Sequence, residues 1–450
     1  MEDTICAIST APGIGAVSII RISGKDSINI VSKIFSNKKI RKSTGNRIFY
    51  GFIMNKKEKI DEVLVTFMKS PKTYTKEDVV EINCHGGLIT TKRILELLLT
   101  NGCRLAEPGE FTKRAFLNGR IDLVQAEAVQ DLINSKTESE RKMFINQIDG
   151  KVSKKISDLR NKILSLMANI EVNIDFPEYE DAIEVTNEIL KPELKKVKDE
   201  ILDILKDSKN GKIIKEGIDV SILGKPNVGK SSILNALLKE EKAIVTDIAG
   251  TTRDIIEGTI SLNGYLLNLK DTAGLRKTKN IVEKIGVNRS LETISNSDLL
   301  IYVLNNNEEV TKEDLKVIKE NKDKTIVFIN KTDLESKLNI EKLKDFNIVK
   351  GNTIEQKGLE ELKNKIIEMF NLEKIETKDL SYLSNAREIS ELDKAYKYIL
   401  EVEKGIKNNA SIDMLEIDLR NCWNSLGSII GEVYQDELLD ELFSKFCLGK

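Results

Sequence analysis

The sequence predicts a multidomain chain. An α+β segment comes first, then an all-α domain, with an α/β domain carrying a phosphate-binding loop inserted between the two halves of the helical part. Three observations predict it. An apolar, β-branched stretch, Ile218 to Leu223, runs into Gly224-Lys225-Pro226-Asn227-Val228-Gly229-Lys230-Ser231, and an amphipathic helix, Ser232 to Leu238, follows. Strand and helix patterns then alternate from about 216 to 375. The flanks on both sides read as helix. The expected boundaries are 1–118 for the α+β domain, 119–215 and 376–450 for the helical halves, and 216–375 for the insert. Insertion into a surface loop costs little closure entropy.

In the first segment the alternation predicts strands at Ile5 to Ser9, Val17 to Ile22, Glu62 to Lys69 and Val79 to Asn83, with helices at Lys25 to Phe35 and Leu88 to Thr100. From about Ile121 the period changes. Leu123, Ala126, Val129, Leu132 and Ile133 recur at helical spacing, and charged helices continue to about Lys215, broken near Asp175-Phe176-Pro177. After the insert, helices are expected at Leu383 to Lys404, Asp413 to Ile430 and Glu437 to Phe446.

The strand–loop–helix order around Gly224 is what phosphate binding needs. Glycines let the loop wrap a phosphate with its backbone N–H groups pointing inward, and the helix N-terminus adds positive dipole. Lys230 would reach the β/γ-phosphates and the Ser231 hydroxyl would bind Mg²⁺. Further along, Asn330-Lys331-Thr332-Asp333 follows a buried-looking strand, Thr325 to Ile329, and resembles the N-K-x-D of GTPases, whose carboxylate accepts from guanine N–H groups that adenine lacks. Between them, Asp271-Thr272-Ala273-Gly274 follows the strand Tyr265 to Leu269 and resembles the D-x-x-G that senses Mg²⁺ and the γ-phosphate. Three matches in order favour GTP over ATP. The loop behind the guanine is expected near Gly351-Asn352-Thr353, where the motif match is poor.

Ras-like enzymes place a water-orienting Gln after D-x-x-G. This chain has Leu275, whose apolar side chain cannot hold a water. Glu283, in Asn280-Ile281-Val282-Glu283-Lys284-Ile285-Gly286, is the candidate to replace it, against the alternative of a solvated helix charge. Gly250-Thr251-Thr252-Arg253-Asp254 supplies Thr252, the switch threonine that would complete the Mg²⁺ shell.

Composition bounds the rest. With 40% apolar and 32% charged residues, the chain has ample core. A formal charge of −2 excludes a general nucleic-acid coat, so RNA must be met by a local basic patch or through a partner. Five cysteines (Cys6, Cys84, Cys103, Cys422 and Cys447) lack C-x-x-C or zinc spacing, which fits reduced thiols in a cytosol. The start, Met1-Glu2-Asp3, is acidic where a signal peptide is basic. The uncharged run Thr4 to Ile20 is interrupted by Pro12, Gly13 and Gly15, so no membrane association is expected. His85 is the only histidine, and beside Gly86-Gly87 it reads as shaping a turn.

Several other segments are not generic to nucleotide-binding proteins: Ala11-Pro12-Gly13-Ile14-Gly15-Ala16-Val17, Ile20-Arg21-Ile22-Ser23-Gly24, Glu77-Asp78-Val79-Val80-Glu81, His85-Gly86-Gly87, Glu107-Pro108-Gly109-Glu110-Phe111-Thr112 with Arg114 to Gly119, and the terminal Phe446-Cys447-Leu448-Gly449-Lys450. In order and domain plan they resemble, end to end, the MnmE (TrmE) family of tRNA-modification GTPases. The resemblance implies a cytoplasmic homodimer that works with the flavoprotein MnmG (GidA) in a heterotetramer-type complex. Together they would modify C5 of the wobble uridine of certain tRNAs, giving 5-carboxymethylaminomethyl- or aminomethyl-type products. A tetrahydrofolate derivative (5-formyl or 5,10-methylene) would supply the carbon from the N-terminal domain, which also forms the dimer.

By matching motif, the resemblance assigns folate contacts to Arg21, Glu81 and Lys450; a strand-end ion pair is the alternative for the first two. Arg120 stands where family members often carry Lys in N-G-K-[LI]-D-L, a longer, forked cation in a folate-contact position. Cys447 becomes a candidate catalytic or redox-sensitive thiol, against a small core residue at a helix end. Asn227 becomes a K⁺ ligand with Thr246, Ile248 and Thr251, against a residue that merely favours the turn. The nucleotide contacts then comprise Asn227 to Ser231 with Ser232, the run Thr246-Asp247-Ile248-Ala249-Gly250-Thr251-Thr252, Asp271 to Gly274, and Asn330, Lys331 and Asp333. The competing reading is an Era-like ribosome-assembly GTPase, a binding switch. It would carry a basic KH module with a G-x-x-G loop, for which the sequence offers no context.

Overall fold

The computed structural model describes residues 3–175, 190–240, 258–271, 294–376 and 379–449. The chain divides into two compact units. One comprises Met1–Ile133, Gln147–Ile201 and Ser390–Lys450, the other Asn134–Asn146 and Leu202–Ile389.

The first unit holds a six-stranded sheet built from β1 (Ile5–Ile8), β2 (Gly15–Ser23), β3 (Arg47–Asn55), β4 (Glu58–Met68), β5 (Val79–Gly86) and β6 (Arg104–Leu105). Its order is β3-β4-β5-β2-β1-β6, antiparallel except where β1 meets β6. Side chains alternate along β5, with Val80, Ile82 and Cys84 buried and Glu81, Asn83 and His85 on the other face. The buried row packs with Ile30, Val31 and Phe35 around the helix Ser27–Ile34, and with Ile94 and Leu98 of Leu88–Thr100. Fully burying a side chain of this size contributes about 1.5–3 kcal/mol. Arg21 of β2 lies directly opposite Glu81 of β5, so strand register alone brings those two together.

Strand β3 escaped the sequence reading, and β4 begins earlier than expected. Gly51 sits inside β3, where glycine reads as a breaker, yet it is there because a Cβ would lie 2.8 Å from the Phe35 ring. His85 does not shape a turn by its side chain. It stands in β5 with its ring exposed and Nδ1 2.7 Å from Asp61 Oδ1.

The Glu107-to-Thr112 motif explains itself in packing. Gly109 has φ +69°, and a Cβ there would meet Phe443 O at 2.6 Å. This close approach seats the helix Asp436–Ser444 on the helix Glu110–Leu117, with Phe116, Phe443 and Phe446 in one cluster. Beneath it Arg114, 1% exposed, bonds Glu110, Glu77 and Asp3 at 2.9, 3.1 and 2.8 Å. In the helical part, Lys151–Asp175 packs on Ile412–Ile430, and the Arg160 guanidinium lies 4.0 Å from the centroid of the Trp423 ring. Leu123 and Ala126 are buried as their spacing predicts, but Ile133 is exposed. Phe176 and Pro177 lie outside the described residues.

The second unit holds the other six-stranded sheet. It contains β7 (Ile218–Leu223), β8 (Gly258–Leu262), β9 (Tyr265–Asp271), β10 (Leu299–Asn305), β11 (Thr325–Asn330) and β12 (Asn347–Lys350) in the order β12-β11-β10-β7-β9-β8. All neighbours are parallel except the β8–β9 hairpin. Every residue of β10 and β11 is buried, the continuous apolar run of a parallel strand covered on both faces. β7 pairs with β9 on one side and β10 on the other, so the strand order reverses there. Open α/β sheets bind ligands at the carboxyl ends of the strands at such a switch point.

Candidate functional site

The loop Gly224–Gly229 leaves the carboxyl end of β7 at that switch point and enters the helix Lys230–Glu240, slightly longer at each end than the sequence indicated. Gly224, Asn227 and Gly229 have φ of +141°, +63° and +104°. Asn tolerates the left-handed region better than most residues, so Asn227 does serve the turn. A Cβ at Gly224 would lie 2.4 Å from Val303 O, so glycine is also required for space. Lys230 donates from Nζ to the carbonyls of Gly224 and Lys225 at 3.0 and 2.7 Å, which folds the ammonium over the loop. Ser231 and Ser232 are exposed in the first helical turn.

Asn330 joins three segments. Its Nδ2 donates to Val228 O at 2.9 Å, and its Oδ1 accepts from the Thr353 amide at 3.2 Å and the Thr353 hydroxyl at 3.3 Å. Lys331, at φ +60°, donates from Nζ to Asn227 O at 2.9 Å. Thr332 closes the far side on Gly351 O. The poorly matching Gly351-Asn352-Thr353 stretch therefore packs against Asn330, through an amide and a hydroxyl rather than through a readable signature. Asp333 is exposed beside it. Asp271 ends β9 in register with Ile222 of β7, two residues before Gly224 opens the phosphate loop.

A second constellation forms in the first unit. Arg21 Nε donates to Glu81 Oε1 at 2.9 Å, and Arg21 Nη1 reaches Gly449 O at 3.4 Å. The Arg21 guanidinium lies 5.4 Å from the Tyr74 ring centroid and 5.7 Å from that of Phe111, and Arg120 lies 4.7 Å from Tyr74. Tyr74 carried no signal in the sequence, and Phe111 stood out only as part of the Glu107-to-Thr112 motif, with no site role of its own. Gly449, at φ +88°, also accepts from Ser9 Oγ at 3.0 Å, and a Cβ there would meet Ile8 O at 2.5 Å. Gly449 thus meets β1, Ser9 and Arg21 at one place.

Cys447 is exposed, which removes the core reading of this thiol, and Gln130 Nε2 lies 4.0 Å from its Sγ. The other four cysteines are buried, and burial pushes the Cys84 thiol up to about 11 and that of Cys422 up to about 12. Thr246 to Thr252, Thr272, Ala273, Gly274, Leu275, Glu283 and Lys450 lie outside the described residues. Among the described residues, no helix is long and apolar enough to cross a membrane.

A mostly parallel sheet with a phosphate loop at its switch point, held by an Asn-Lys-x-Asp segment, defines a P-loop GTP-binding protein. Comparison narrows the class. The family model "GTP-binding protein TrmE N-terminus" matches residues 4–120, and "MnmE helical domain" matches residues 123–447. A "tRNA modification GTPase MnmE" from Bacillus cytotoxicus is 50% identical across all of this chain and 99% of its own length. One from Ligilactobacillus salivarius is 48% identical across all of this chain and 98% of its own. Among solved structures, the G domain of the T. maritima FeoB iron transporter is 29% identical over 34% of this chain and 98% of its own, at a TM-score of only 0.26. The chain belongs to the MnmE family of tRNA modification GTPases.

Proposed function

We propose that this chain hydrolyses GTP to drive modification of the wobble uridine of certain tRNAs, with a flavoprotein partner and a tetrahydrofolate one-carbon donor. One observation carries the folate part. Arg21, Glu81 and Arg120 converge with the C-terminal backbone around Tyr74, which combines cations, a carboxylate and an aromatic face. Those residue types suit a pterin edge and a glutamate tail: the carboxylate pairs with pterin N–H groups, and the guanidinium groups with carbonyl and carboxylate oxygens. The Arg21–Glu81 ion pair is compatible with that role, because both partners remain partly exposed on the open sheet face. Lys450 adds a further cation next to Gly449 in sequence.

The division of labour follows the expected domains. Residues 1–118 hold the one-carbon donor and form the homodimer. Residues 119–215 and 376–450 form the helical domain, and 216–375 hydrolyse GTP in the cytoplasm. In the last of these, Ser231 and Thr252 would hold Mg²⁺, and the exposed Ser231 hydroxyl in the first helical turn fits that ion. Asn227, with Thr246, Ile248 and Thr251, would hold K⁺, which supplies positive charge beside the β/γ-phosphates. Equal GTP turnover in KCl and NaCl at one ionic strength would remove K⁺ from the reading.

Binding of 5-formyl-tetrahydrofolate, measured by calorimetry, tests the folate part against the Era-like alternative. The intact chain is expected to bind and Arg21→Ala to lose most of that affinity. No binding by the intact chain would contradict it.

A further inference from the structure

We infer that Lys225 is a positioning residue for GTP binding, acting through a clamp on Asp314 that fixes the phosphate loop. The inference rests on the GTP-binding reading of this loop. The Lys225 ammonium lies 2.9 Å from Asp314 Oδ2, and the Asp314 side chain is 3% exposed. That carboxylate is itself immobilised. It accepts from the Thr311 amide at 2.9 Å, the Thr311 hydroxyl at 2.7 Å and the Tyr302 hydroxyl at 2.9 Å. Thr311 and Asp314 form the capping box of the helix Lys312–Glu320, and Tyr302 belongs to β10, in register with Leu223 at the end of β7. Burial raises the Asp314 carboxyl, but Thr311, Lys225 and Tyr302 outweigh it and hold the group below its ordinary value, so it stays ionised.

The other end of Lys225 faces the chemistry. Its carbonyl accepts from Lys230 Nζ at 2.7 Å, the same ammonium that serves the phosphates in a G-x-x-x-x-G-K-[ST] loop. One residue therefore links a rigid helix cap to the seat of the phosphate lysine. Glycine on one side and proline on the other leave the loop few anchors of its own: Gly224 is conformationally permissive, and Pro226 lacks an N–H. The Lys225 side chain supplies the anchor. A Lys at this position that merely added positive charge near the phosphates would need no buried acceptor. An acceptor fixed by three other donors is the mark of a clamp.

The test uses the full chain and a fluorescent GTP analogue, mant-GTP. Lys225→Met is expected to weaken binding about ten-fold, the scale of one net hydrogen bond to a charged group. Lys225→Arg, which keeps the charge and can reach the same carboxylate, should restore affinity to within about two-fold. Asp314→Asn separates the clamp from simple attraction. Loss of its hold on Lys225 should also weaken binding about ten-fold, and the double variant should be no weaker than either single one. A gain in affinity for Asp314→Asn, additive losses in the double variant, or wild-type binding by Lys225→Met would overturn the inference. If the intact chain fails to bind mant-GTP, the GTP reading of this loop falls and takes the clamp with it.

Discussion

Asn330 Nδ2 donates to the carbonyl of Val228 at 2.9 Å, so the segment expected to read guanine is bonded to the loop expected to hold phosphate. The bond is buried, and Gly229 makes room for it: a Cβ there would lie 2.1 Å from Asn330 Nδ2. The two ends of a nucleotide site are thus set by one amide side chain.

Asn330→Ala removes that donor and the acceptor for Thr353 in a single step. Each buried hydrogen bond lost costs about 1–3 kcal/mol, so affinity for GTP should fall by roughly 10- to 100-fold. Gly229→Ala should be at least as damaging, because the clash falls on the same amide. Fluorescent-nucleotide titration reads both, and unaltered affinity in Asn330→Ala would show that the bond is incidental.

Glu110 ties acid sensitivity to the α+β domain. Burial pushes its carboxyl up, yet hydrogen bonds from Arg104, the Glu107 amide and Arg114 prevail and hold it below the ordinary value of 4.5. A carboxyl lowered by folding lends stability that is fully present above its unfolded value and is lost as pH falls through the folded one. Unfolding measured from pH 7 to pH 3 should therefore steepen below about 4.5. Glu110→Gln should cost about 1–3 kcal/mol near neutrality, since Arg114 loses one of its three carboxylate partners and keeps Glu77 and Asp3, and should flatten the acid limb. An unchanged acid limb would place the sensitivity elsewhere.

How legible was this in advance? The phosphate loop was plain because the chemistry sits in consecutive residues, and Ile218 to Leu223 was a strand to the residue. The helix Leu88–Thr100 was equally clear. What escaped had its cause far off in sequence. The Arg114 network needs Asp3 and Glu77, and Gly51 answers to Phe35. Thr353 meets Asn330 through a hydroxyl and a backbone amide, and the amide is one that any residue but proline offers. Tyr74 joins the Arg21 constellation only because the fold carries it there.

Glu283 remains the candidate to hold the hydrolytic water, since Leu275 cannot. Glu283→Ala should lower GTP turnover by about 10²-fold or more, as loss of a water-orienting or general-base group does, with affinity nearly unchanged. Normal turnover in this variant would return Glu283 to being a solvated charge.

Cys447 should serve modification and not hydrolysis. Its thiol is exposed near the chain end that meets Arg21, while the phosphate loop belongs to the other compact unit. Cys447→Ser keeps nearly the same shape but offers no thiolate near neutral pH. It should retain GTP turnover while losing modified uridine. Normal yield of modified uridine would make the thiol dispensable, and loss of both activities would point to a folding defect.

The most direct test is the yield of modified wobble uridine in a reconstituted reaction containing the intact chain, the flavoprotein, tRNA, a tetrahydrofolate one-carbon donor and GTP. Product should form with all components. It should vanish when GTP is replaced by a non-hydrolysable analogue, when the folate is omitted, or when Arg21→Ala replaces the intact chain. Undiminished product without hydrolysable GTP or without folate would contradict the account.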